Sequence, residues 1–326
     1  NQIEKFGCSL EARYLQIFKG DEIEFPEDGY QGEDIKDLAK EYADLNGDSL
    51  VNVSAEERKK ALVDYALPKN IKKMQADMEK YKIFYDKWFF ESELHKSGAV
   101  KAVVDLLTKK GLTYEKDGAV WYKNKEVLTQ KLLKEGKSQK YIDNLELKDD
   151  VLIRQNGNPT YFTADIAYHK NKFDRGFTTL IDVWGADHHG HVMRMKGAMD
   201  AIGYDGDKLN VVLMQLVKLV KDGELVRMSK RTGKAIQLGD LLDEVPVDSA
   251  RFLFNTKEAN TQMDFDLDLA VSQDNQNPVY YVQYAHARIC SIFKSLAKEG
   301  ISPRECTDAE LALLTAPEEK ELINHL

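Results

Sequence analysis

The sequence predicts an α/β fold, in which a mostly helical first part is followed by a parallel sheet with helices on its faces. Apolar residues recur at helical spacing through much of residues 1–150. A β-rich run over 178–184 is then followed by a helix over about 192–202 and a second strand over 209–216. This strand–loop–helix–strand order is typical of a parallel sheet.

The helices of the first part follow from apolar periodicity and end signals. A first stripe comprises Ile35, Leu38, Ala39, Tyr42 and Leu45. Ser54 with Glu57 forms a capping-box pattern, which predicts a helix start. We expect that helix to end before Pro68, because proline lacks the N–H group that a helix interior needs. A separate stripe then comprises Ile71, Met74, Met78 and Tyr81.

Glycines predict where later elements end or turn. Gly111 should end a short helix that contains Val100, Val103, Val104 and Leu107. Asp117-Gly118 predicts the turn of a hairpin over 112–122, and Asp222-Gly223 predicts the turn of a second hairpin over 217–227.

The remaining segments are helical in pattern. Short helices are predicted over about 241–244 and 248–256, and a long helix over 280–296 follows Asn277-Pro278. We predict three domains, over residues 1–150, 151–272 and 273–326.

Composition limits the classes of function. A net charge of −9 argues against indiscriminate nucleic-acid binding, although local basic patches could still bind a specific RNA. Residues 101–140 carry ten lysines against five acids, which favours a solvated helical face. The chain has only three cysteines, none in a C-x-x-C pair, and this indicates a reducing cytoplasm. No run approaches eighteen apolar residues, so no membrane span is predicted. Because the chain does not begin with Met, we expect either a fragment of a longer protein or a processed product.

The densest group of chemically active residues is Gly185-Ala186-Asp187-His188-His189-Gly190-His191. It follows the first predicted strand of the parallel sheet, where ligands usually bind. Histidine and aspartate are zinc ligands, so a metal site is one interpretation, and a structural loop is another. The favoured interpretation is nucleotide binding, in which Asp187 accepts ribose hydroxyls and imidazoles donate to phosphate oxygens.

Two further segments carry charge in patterns that suit ligands. Cations cluster next to Gly233 in Arg227-Met228-Ser229-Lys230-Arg231-Thr232. Such a loop could close over a polyphosphate, although from the spacing alone a solvated basic turn is the favoured interpretation. In a helix, Tyr161, Asp165 and Tyr168 would share one face. A carboxylate between phenols suits a cationic ligand, and the alternative is an ordinary acidic helix start.

Taken together, these segments resemble the class I aminoacyl-tRNA synthetases, specifically the arginine family of bacterial type. Residues 227–231 resemble the KMSKS loop, 185–189 the segment that holds the ATP ribose, and 161–168 the arginine-recognising helix. Asn1-Gln2 resembles the end of an Asn-Asp-x-Gly-x-Gln stretch. Residues 276–288 resemble the first helix of the anticodon-binding bundle.

The departures from the family pattern concern the ends and the loop. The HIGH motif is absent, and it would lie upstream of Asn1 together with the first strand and the tRNA-elbow domain. Leu326 would fall inside the anticodon-binding bundle. Arg227 stands where the motif has its first Lys, and Arg231 where it has its final Ser. From these departures we expect this chain alone to be inactive.

The resemblance implies a partial Rossmann-like class I catalytic domain with a mostly helical insertion and the start of an all-α anticodon-binding bundle. It implies ATP-dependent ligation of arginine to tRNA(Arg) through an arginyl-adenylate, with Mg²⁺, by a cytoplasmic monomer. It implies the following roles: catalysis by Lys230, Arg227 and Arg231; ATP binding by Gly185, Asp187, His188, Gln215, Leu216, Val217, Met228 and Ser229; arginine binding by Tyr161, Asp165, Tyr168 and His189; and tRNA binding by Arg288.

Other classes of function remain open from the sequence. They are a zinc hydrolase that uses Asp187, His188, His189 and His191, a nucleotidyltransferase that charges no RNA, and a binding fragment without catalysis.

Overall fold

Helices make up most of the first 150 residues in the computed structural model, which describes residues 2–226 and 236–326. The helices of this part are α1 (Gln2–Lys19), α2 (Glu33–Asn46), α3 (Ala55–Lys80), α4 (Glu91–Lys96), α5 (Ala99–Lys109), α6 (Asn124–Lys134) and α7 (Gln139–Asn144). A hairpin lies between α5 and α6 and consists of β1 (Thr113–Lys116) and β2 (Ala119–Tyr122). The predicted helical character of this part is confirmed.

Strands and helices alternate in the next part. Its elements are β3 (Asp150–Ile153), α8 (Tyr161–Asp174), β4 (Leu180–Gly185), α9 (His189–Ile202), β5 (Leu209–Met214), β6 (Val217–Lys221), β7 (Glu224–Leu225), α10 (Leu238–Glu244), α11 (Val247–Phe254), β8 (Met263–Asp266) and α12 (Leu267–Val271). The chain continues with α13 (Pro278–Lys298), α14 (Asp308–Leu311) and α15 (Pro317–His325). The chain is therefore mixed α/β and mostly helical.

The described strands form three small sheets. β4 and β5 pair in parallel, with Leu180 opposite Leu209 and Gly185 opposite Met214. β3 pairs antiparallel with β2, and β6 pairs in parallel with β8. The sequence did not predict β3 or β8. The β2–β3 pairing joins residues on both sides of position 150, and the domain boundaries remain predictions.

Three buried apolar clusters hold these elements together. The first lies between α1, α2 and α3 and contains Leu10, Tyr14 and Leu62. The second packs α5, α8 and α9 against β4 and β5, with Ile166 and Met195 fully buried. The third joins α10, α11, β8, α12 and the start of α13. The second cluster matters for the site, because it positions one side of α8.

The predicted end of a helix before Pro68 is wrong. α3 begins after Ser54, whose side chain accepts a hydrogen bond from the Glu57 N–H at 3.2 Å, and continues through Pro68 to Lys80. Proline removes only one backbone hydrogen bond from a long helix. Packing on both sides of Pro68 compensates for that loss. Leu62 and Ala66 lie in the first cluster, and Lys73 donates to Gln237 next to α10.

Both predicted hairpins are confirmed within the described residues. Asp117 and Gly118 have φ values of 52° and 72°, and Asp222 and Gly223 have values of 53° and 74°. Two consecutive positive φ angles are characteristic of the two-residue turn that matches the twist of paired strands. Gly111, with φ 74°, follows α5 as predicted.

Candidate active site

The carboxyl edge of the β4–β5 pair carries the Asp–His segment, as the strand order predicted. After Gly185 the chain forms a short 3-10 turn over Ala186–His188 and enters α9 at His189. His189 and His191 are therefore residues of the first turn of a helix and not of a loop. Side chains two positions apart on a helix point in different directions, so the turn separates these two histidines.

A cavity of about 700 Å³ lies between α8, β4 and the start of α9. We call it the α8–β4 cavity. Its lining residues are Tyr161, Phe162, Asp165, Tyr168, His169, Lys172, Ile181, Asp182, Val183, Trp184, Asp187, His188, Gly190, His191 and Arg194. The helix and the strand-end segment singled out from the sequence thus contribute to one cavity.

Tyr161, Asp165 and Tyr168 all line this cavity. The other side of α8 is buried, because Phe162, Ile166 and neighbouring residues pack into the second apolar cluster. Tyr168 stacks on Phe89 with ring centroids 4.7 Å apart. The Asp165 side chain is 45 % exposed, so its carboxylate is accessible to a ligand in the cavity.

The histidine that pairs with the carboxylate of Asp165 is His191. Its Nε2 lies 3.5 Å from Asp165 Oδ2, and its ring contacts Phe162 and Trp184 at 5.5 and 5.2 Å between centroids. His189, to which the sequence assigned the amino-acid contact, does not line this cavity. It lines a neighbouring depression with Asn124 and Met193. His191, and not His189, therefore lies beside the Asp165 carboxylate, because α9 begins at His189.

Asp187 and His188 lie at the open end of the cavity, next to the end of β4. The Asp187 side chain is 82 % exposed, and its Oδ2 lies 3.8 Å from His188 Nε2. A Cβ atom at Gly185 would lie only 2.5 Å from Asp187 Oδ1, so any larger residue at position 185 would displace this carboxylate. The exposed carboxylate of Asp187 can accept hydrogen bonds, and Gly185 has no side chain to block the backbone. This arrangement suits a ribose.

The wall of the cavity formed by β4 contains a buried ionic network that the sequence analysis missed. Asp182 is 7 % exposed. One of its oxygens accepts from His169 Nε2, and the other accepts from Lys172 Nζ at 2.7 Å. Burial alone would raise the pKa of Asp182, but the hydrogen bonds and charges of His169 and Lys172 outweigh it and lower the pKa. The sequence contains a signal for this network, because Asp182 is the one charged residue in a β-rich run. A carboxylate buried in a strand requires hydrogen-bonding or charged partners.

A second ion pair lies at the start of α9. Arg194 donates through Nε and Nη2 to the two carboxylate oxygens of Asp150, and its guanidinium lies 4.9 Å from the centre of the Phe162 ring. Burial raises the pKa of Asp150, and the charge of Arg194 opposes this only in part. Arg194 lines both the α8–β4 cavity and the depression that contains His189, so this pair separates the two.

The segment predicted to contact adenine follows β5. The N–H of Gln215 donates to the carbonyl of Ala259 at 2.9 Å, Leu216 is 84 % exposed, and Val217 begins β6. These residues are close in sequence to Met214, which is paired with Gly185. They do not line the α8–β4 cavity itself.

The predicted phosphate-binding loop, with Arg227, Met228, Ser229, Lys230 and Arg231, lies outside the described residues. β7 ends at Leu225 before it, and α10 begins at Leu238 after it. Gln237 is the N-cap of α10 and forms a capping box with Asp240.

Arg288, predicted to contact tRNA, lies on α13, and its guanidinium is 5.7 Å from the centre of the Tyr284 ring. Asn277 caps this helix by accepting from the Val279 N–H, and Pro278 occupies its first position. Arg288 and Tyr284 line a shallow groove along the exposed face of α13.

The metal interpretation of the histidine segment finds no support in the residues that the structure describes. Within 2–226 and 236–326, no three His, Cys, Asp or Glu side chains are grouped so that they could hold a metal ion. Among the helices of the same ranges, none has both the length and the apolarity that a membrane crossing requires.

Comparison with known proteins gives a consistent result. The family described as "tRNA synthetases class I (R), catalytic domain" matches residues 31–290, and the DALR anticodon binding domain matches residues 282–326. The chain is 55 % identical over its whole length to the arginine–tRNA ligase of Ruminiclostridium cellulolyticum and 48 % identical to that of Carboxydothermus hydrogenoformans. It spans 55 % of the length of each of these relatives.

Solved structures agree on the fold. An arginyl-tRNA synthetase from Campylobacter jejuni superposes with a TM-score of 0.76 at 35 % identity, over 93 % of this chain and 61 % of that one. The Thermus thermophilus arginyl-tRNA synthetase, at 19 % identity, has a TM-score of 0.65 over 96 % of this chain and 59 % of that one, which supports the fold alone. Because the catalytic-domain family covers well over half of the sequence, this chain belongs to the arginine family of the class I tRNA synthetases.

Proposed function

We propose that the protein to which this chain belongs ligates arginine to tRNA(Arg) at the expense of ATP. The observation that carries the proposal is the position of Asp165. Its carboxylate lies between Tyr161 and Tyr168 in a cavity that opens at the carboxyl edge of β4, next to Asp187. A cationic side chain can bind at one end of such a cavity while a nucleotide binds at the other.

In this proposal Asp165 accepts hydrogen bonds from the guanidinium of arginine, and Tyr161 and Tyr168 supply π faces and hydroxyls around it. His191, rather than His189, lies next to the amino acid, because its ring is 3.5 Å from the Asp165 carboxylate. A planar guanidinium can form two parallel hydrogen bonds with a carboxylate, whereas an ammonium group cannot. Arginine is therefore preferred over lysine.

The nucleotide occupies the open end of the cavity. Asp187 accepts from the ribose hydroxyls, Gly185 leaves room for the sugar, and His188 donates to phosphate oxygens. Gln215, Leu216 and Val217 offer backbone groups to adenine. Magnesium accompanies the polyphosphate, which provides its ligands together with water. We assign no protein ligand to it.

Chemistry then requires positioning and charge neutralisation more than covalent participation. The carboxylate of arginine attacks the α-phosphorus, pyrophosphate leaves, and the acyl group passes to the terminal ribose of the tRNA. Lys230, Arg227 and Arg231, with Met228 and Ser229 between them, neutralise the charge that develops on phosphorus. Arg288 contributes to tRNA binding.

The free thiols of Cys8, Cys290 and Cys306 support a cytoplasmic location, and we propose a monomer.

Arginine-dependent exchange of pyrophosphate into ATP tests the proposal in the longest natural polypeptide that contains this chain. We expect Asp165→Ala to raise the KM for arginine at least tenfold, because the guanidinium loses its charged acceptor. Asp174→Ala is the matched control, since it removes a carboxylate from the same helix outside the cavity. An unchanged KM for arginine in Asp165→Ala would remove this residue from the pocket.

Lys230→Ala separates the phosphate loop from the amino-acid pocket. We expect the exchange rate to fall by a factor of about 10²–10³, which is typical of removing one charge-stabilising group, with little change in arginine binding. A normal exchange rate would exclude the transition-state role. Dependence of turnover on added tRNA would distinguish a synthetase from a nucleotidyltransferase that charges no RNA.

A further inference from the structure

We propose that His169 and Asp182 are positioning residues for amino-acid binding, because they hold α8 against β4 so that Asp165 faces the cavity. This inference rests on the proposed function and goes beyond it. It concerns two residues that touch neither ATP nor tRNA in that proposal.

The argument begins with how α8 is held in place. Most of its buried contacts are apolar, through residues such as Ile166 and Ala167 in the second cluster. Apolar contacts are not directional, so they permit small rotations and shifts of a helix. Directional contacts are needed to fix which residues face the cavity.

The start of α8 has such contacts with β3. The hydroxyl of Thr160 donates to the carbonyl of Val151 at 2.7 Å, and the hydroxyl of Thr163 donates to the carbonyl of Leu152 at 2.8 Å. These bonds fix the first turn. They connect α8 to β3 and do not involve β4.

The middle of α8 is fixed by His169. Its Nδ1 lies 2.7 Å from the main-chain oxygen of Asp165, and its Nε2 bonds to the carboxylate of Asp182 on β4. A carbonyl oxygen can only accept, so Nδ1 donates. One imidazole therefore links the backbone of Asp165 directly to the neighbouring strand.

Asp182 offers little to the amino acid directly, because its carboxylate is almost fully buried and each oxygen already accepts a hydrogen bond. Oδ2 accepts from His169 and Oδ1 accepts from Lys172 at 2.7 Å, and the Asp182 side chain is only 6 % exposed. Lys172 also lies 4.5 Å from the centre of the Tyr168 ring. The network thus lies in the wall of the cavity and contacts Asp165 and Tyr168 through its own bonds, which is how supporting residues orient binding residues.

Groups from each neighbouring element complete the surroundings of His169. On α8 these are Tyr168 and Lys172, and on β4 they are Asp182 and Trp184, whose ring is perpendicular to the imidazole at 6.5 Å. His191 of α9 reaches this group only through Trp184, at 5.2 Å. Trp184 also contacts His188, at 6.4 Å, so the contact that favours the amino-acid side is the direct bond from His169 to the main chain of Asp165.

The test measures L-arginine binding by calorimetry and the separate KM values for arginine and ATP, in the full-length natural polypeptide. We expect Asp182→Asn, which keeps the shape of the side chain and removes its charge, to weaken arginine binding at least tenfold. The KM for ATP should change less than twofold. His169→Ala should behave in the same way, and His169→Gln, which can retain a donated bond to Asp182, should recover part of the affinity.

Glu11→Gln is the matched control for lost stability. It breaks the ion pair between Glu11 of α1 and Arg58 of α3, which is likewise shielded from solvent but does not line the α8–β4 cavity. It should lower the melting temperature without changing arginine affinity.

The outcomes distinguish this inference from the proposed function. If wild-type protein binds L-arginine and the Asp182 and His169 variants bind it equally well, even with a lower melting temperature, the pair is merely structural and the inference fails. Equal losses for arginine and ATP would also overturn it. If the wild-type protein itself does not bind arginine, the proposed function fails, and this inference fails with it. If Asp182→Asn does not fold, the two His169 variants decide the matter.

Discussion

At the scale of single residues, the chemistry of the cavity depends on which histidine faces Asp165. The sequence offers three histidines within four positions, and their order alone does not rank them. The choice is made by the start of α9 at His189, because the helical turn sends neighbouring side chains in different directions. Tyr161, Asp165 and Tyr168, by contrast, could be grouped from their spacing, since a helix fixes that relation locally.

This difference predicts the behaviour of two histidine variants. We expect His191→Ala to raise the KM for arginine about three- to tenfold, because the imidazole 3.5 Å from Asp165 helps to hold that carboxylate. His189→Ala is its matched control and should change the KM less than twofold. Steady-state kinetics of pyrophosphate exchange measures both. A larger effect at His189 would restore the original assignment of that residue.

At the scale of elements, α3 shows how packing overrides a local signal. Pro68 predicts a helix end, yet the helix continues for twelve more residues to Lys80. Its second half contacts distant parts of the chain, for example through Lys73, which donates to Gln237, and through Lys80, which forms an ion pair with Asp243. Such contacts cannot be read from a window of neighbouring residues.

We therefore expect Pro68→Ala to stabilise the protein. The substitution restores a backbone N–H in the helix interior and removes the ring, and it should raise the free energy of unfolding by about 1–3 kcal/mol. Urea denaturation measures the change. Pro278→Ala is the control, because proline at the first position of α13 is well tolerated and its removal should have little effect. A loss of stability in Pro68→Ala would mean that the ring or a local bend is needed for packing.

Strands were predicted well only where their pattern was local. The two hairpins were predicted because each turn is encoded by an Asp-Gly pair, and β4 and β5 were predicted from β-rich runs. β3 and β8 are four residues long each and pair with partners distant in sequence. Short strands of this kind depend on tertiary pairing, so periodicity does not identify them.

At the scale of the whole molecule, the buried charges predict how stability depends on pH. The lowered pKa of Asp182 means that the folded state favours its ionised form. Its contribution is therefore fully present above the ordinary pKa of 3.8 and is lost as the pH falls through the lower folded-state value. The raised pKa of Asp150 acts in the opposite direction, because protonation of that carboxyl favours the folded state.

We expect Asp182→Asn to lower the free energy of unfolding by about 3 kcal/mol at pH 7, the cost of breaking a buried ionic network. The difference from wild type should shrink as the pH falls below about 4, because the carboxyl of the unfolded chain is protonated there and that of the folded protein follows at lower pH. Denaturation curves between pH 2 and about 7 measure this trend. Glu310→Gln is the control. Arg304 and Thr307 lower the pKa of Glu310 to about 2, but this exposed group should influence global stability little. A pH-independent difference for Asp182→Asn would contradict the ionic account.

The sequence by itself determined the α/β class, the hairpins, the strand–helix–strand order and the three segments that resemble an arginine-specific class I synthetase. These features depend on turn residues, periodicity and motif order, which are local. Only the tertiary structure decided that α3 is continuous, that His191 rather than His189 lies beside Asp165, and that Asp182, His169 and Lys172 form one buried network. Those outcomes depend on the burial of charges and on contacts between elements far apart in the chain. Local sequence patterns do not encode such contacts.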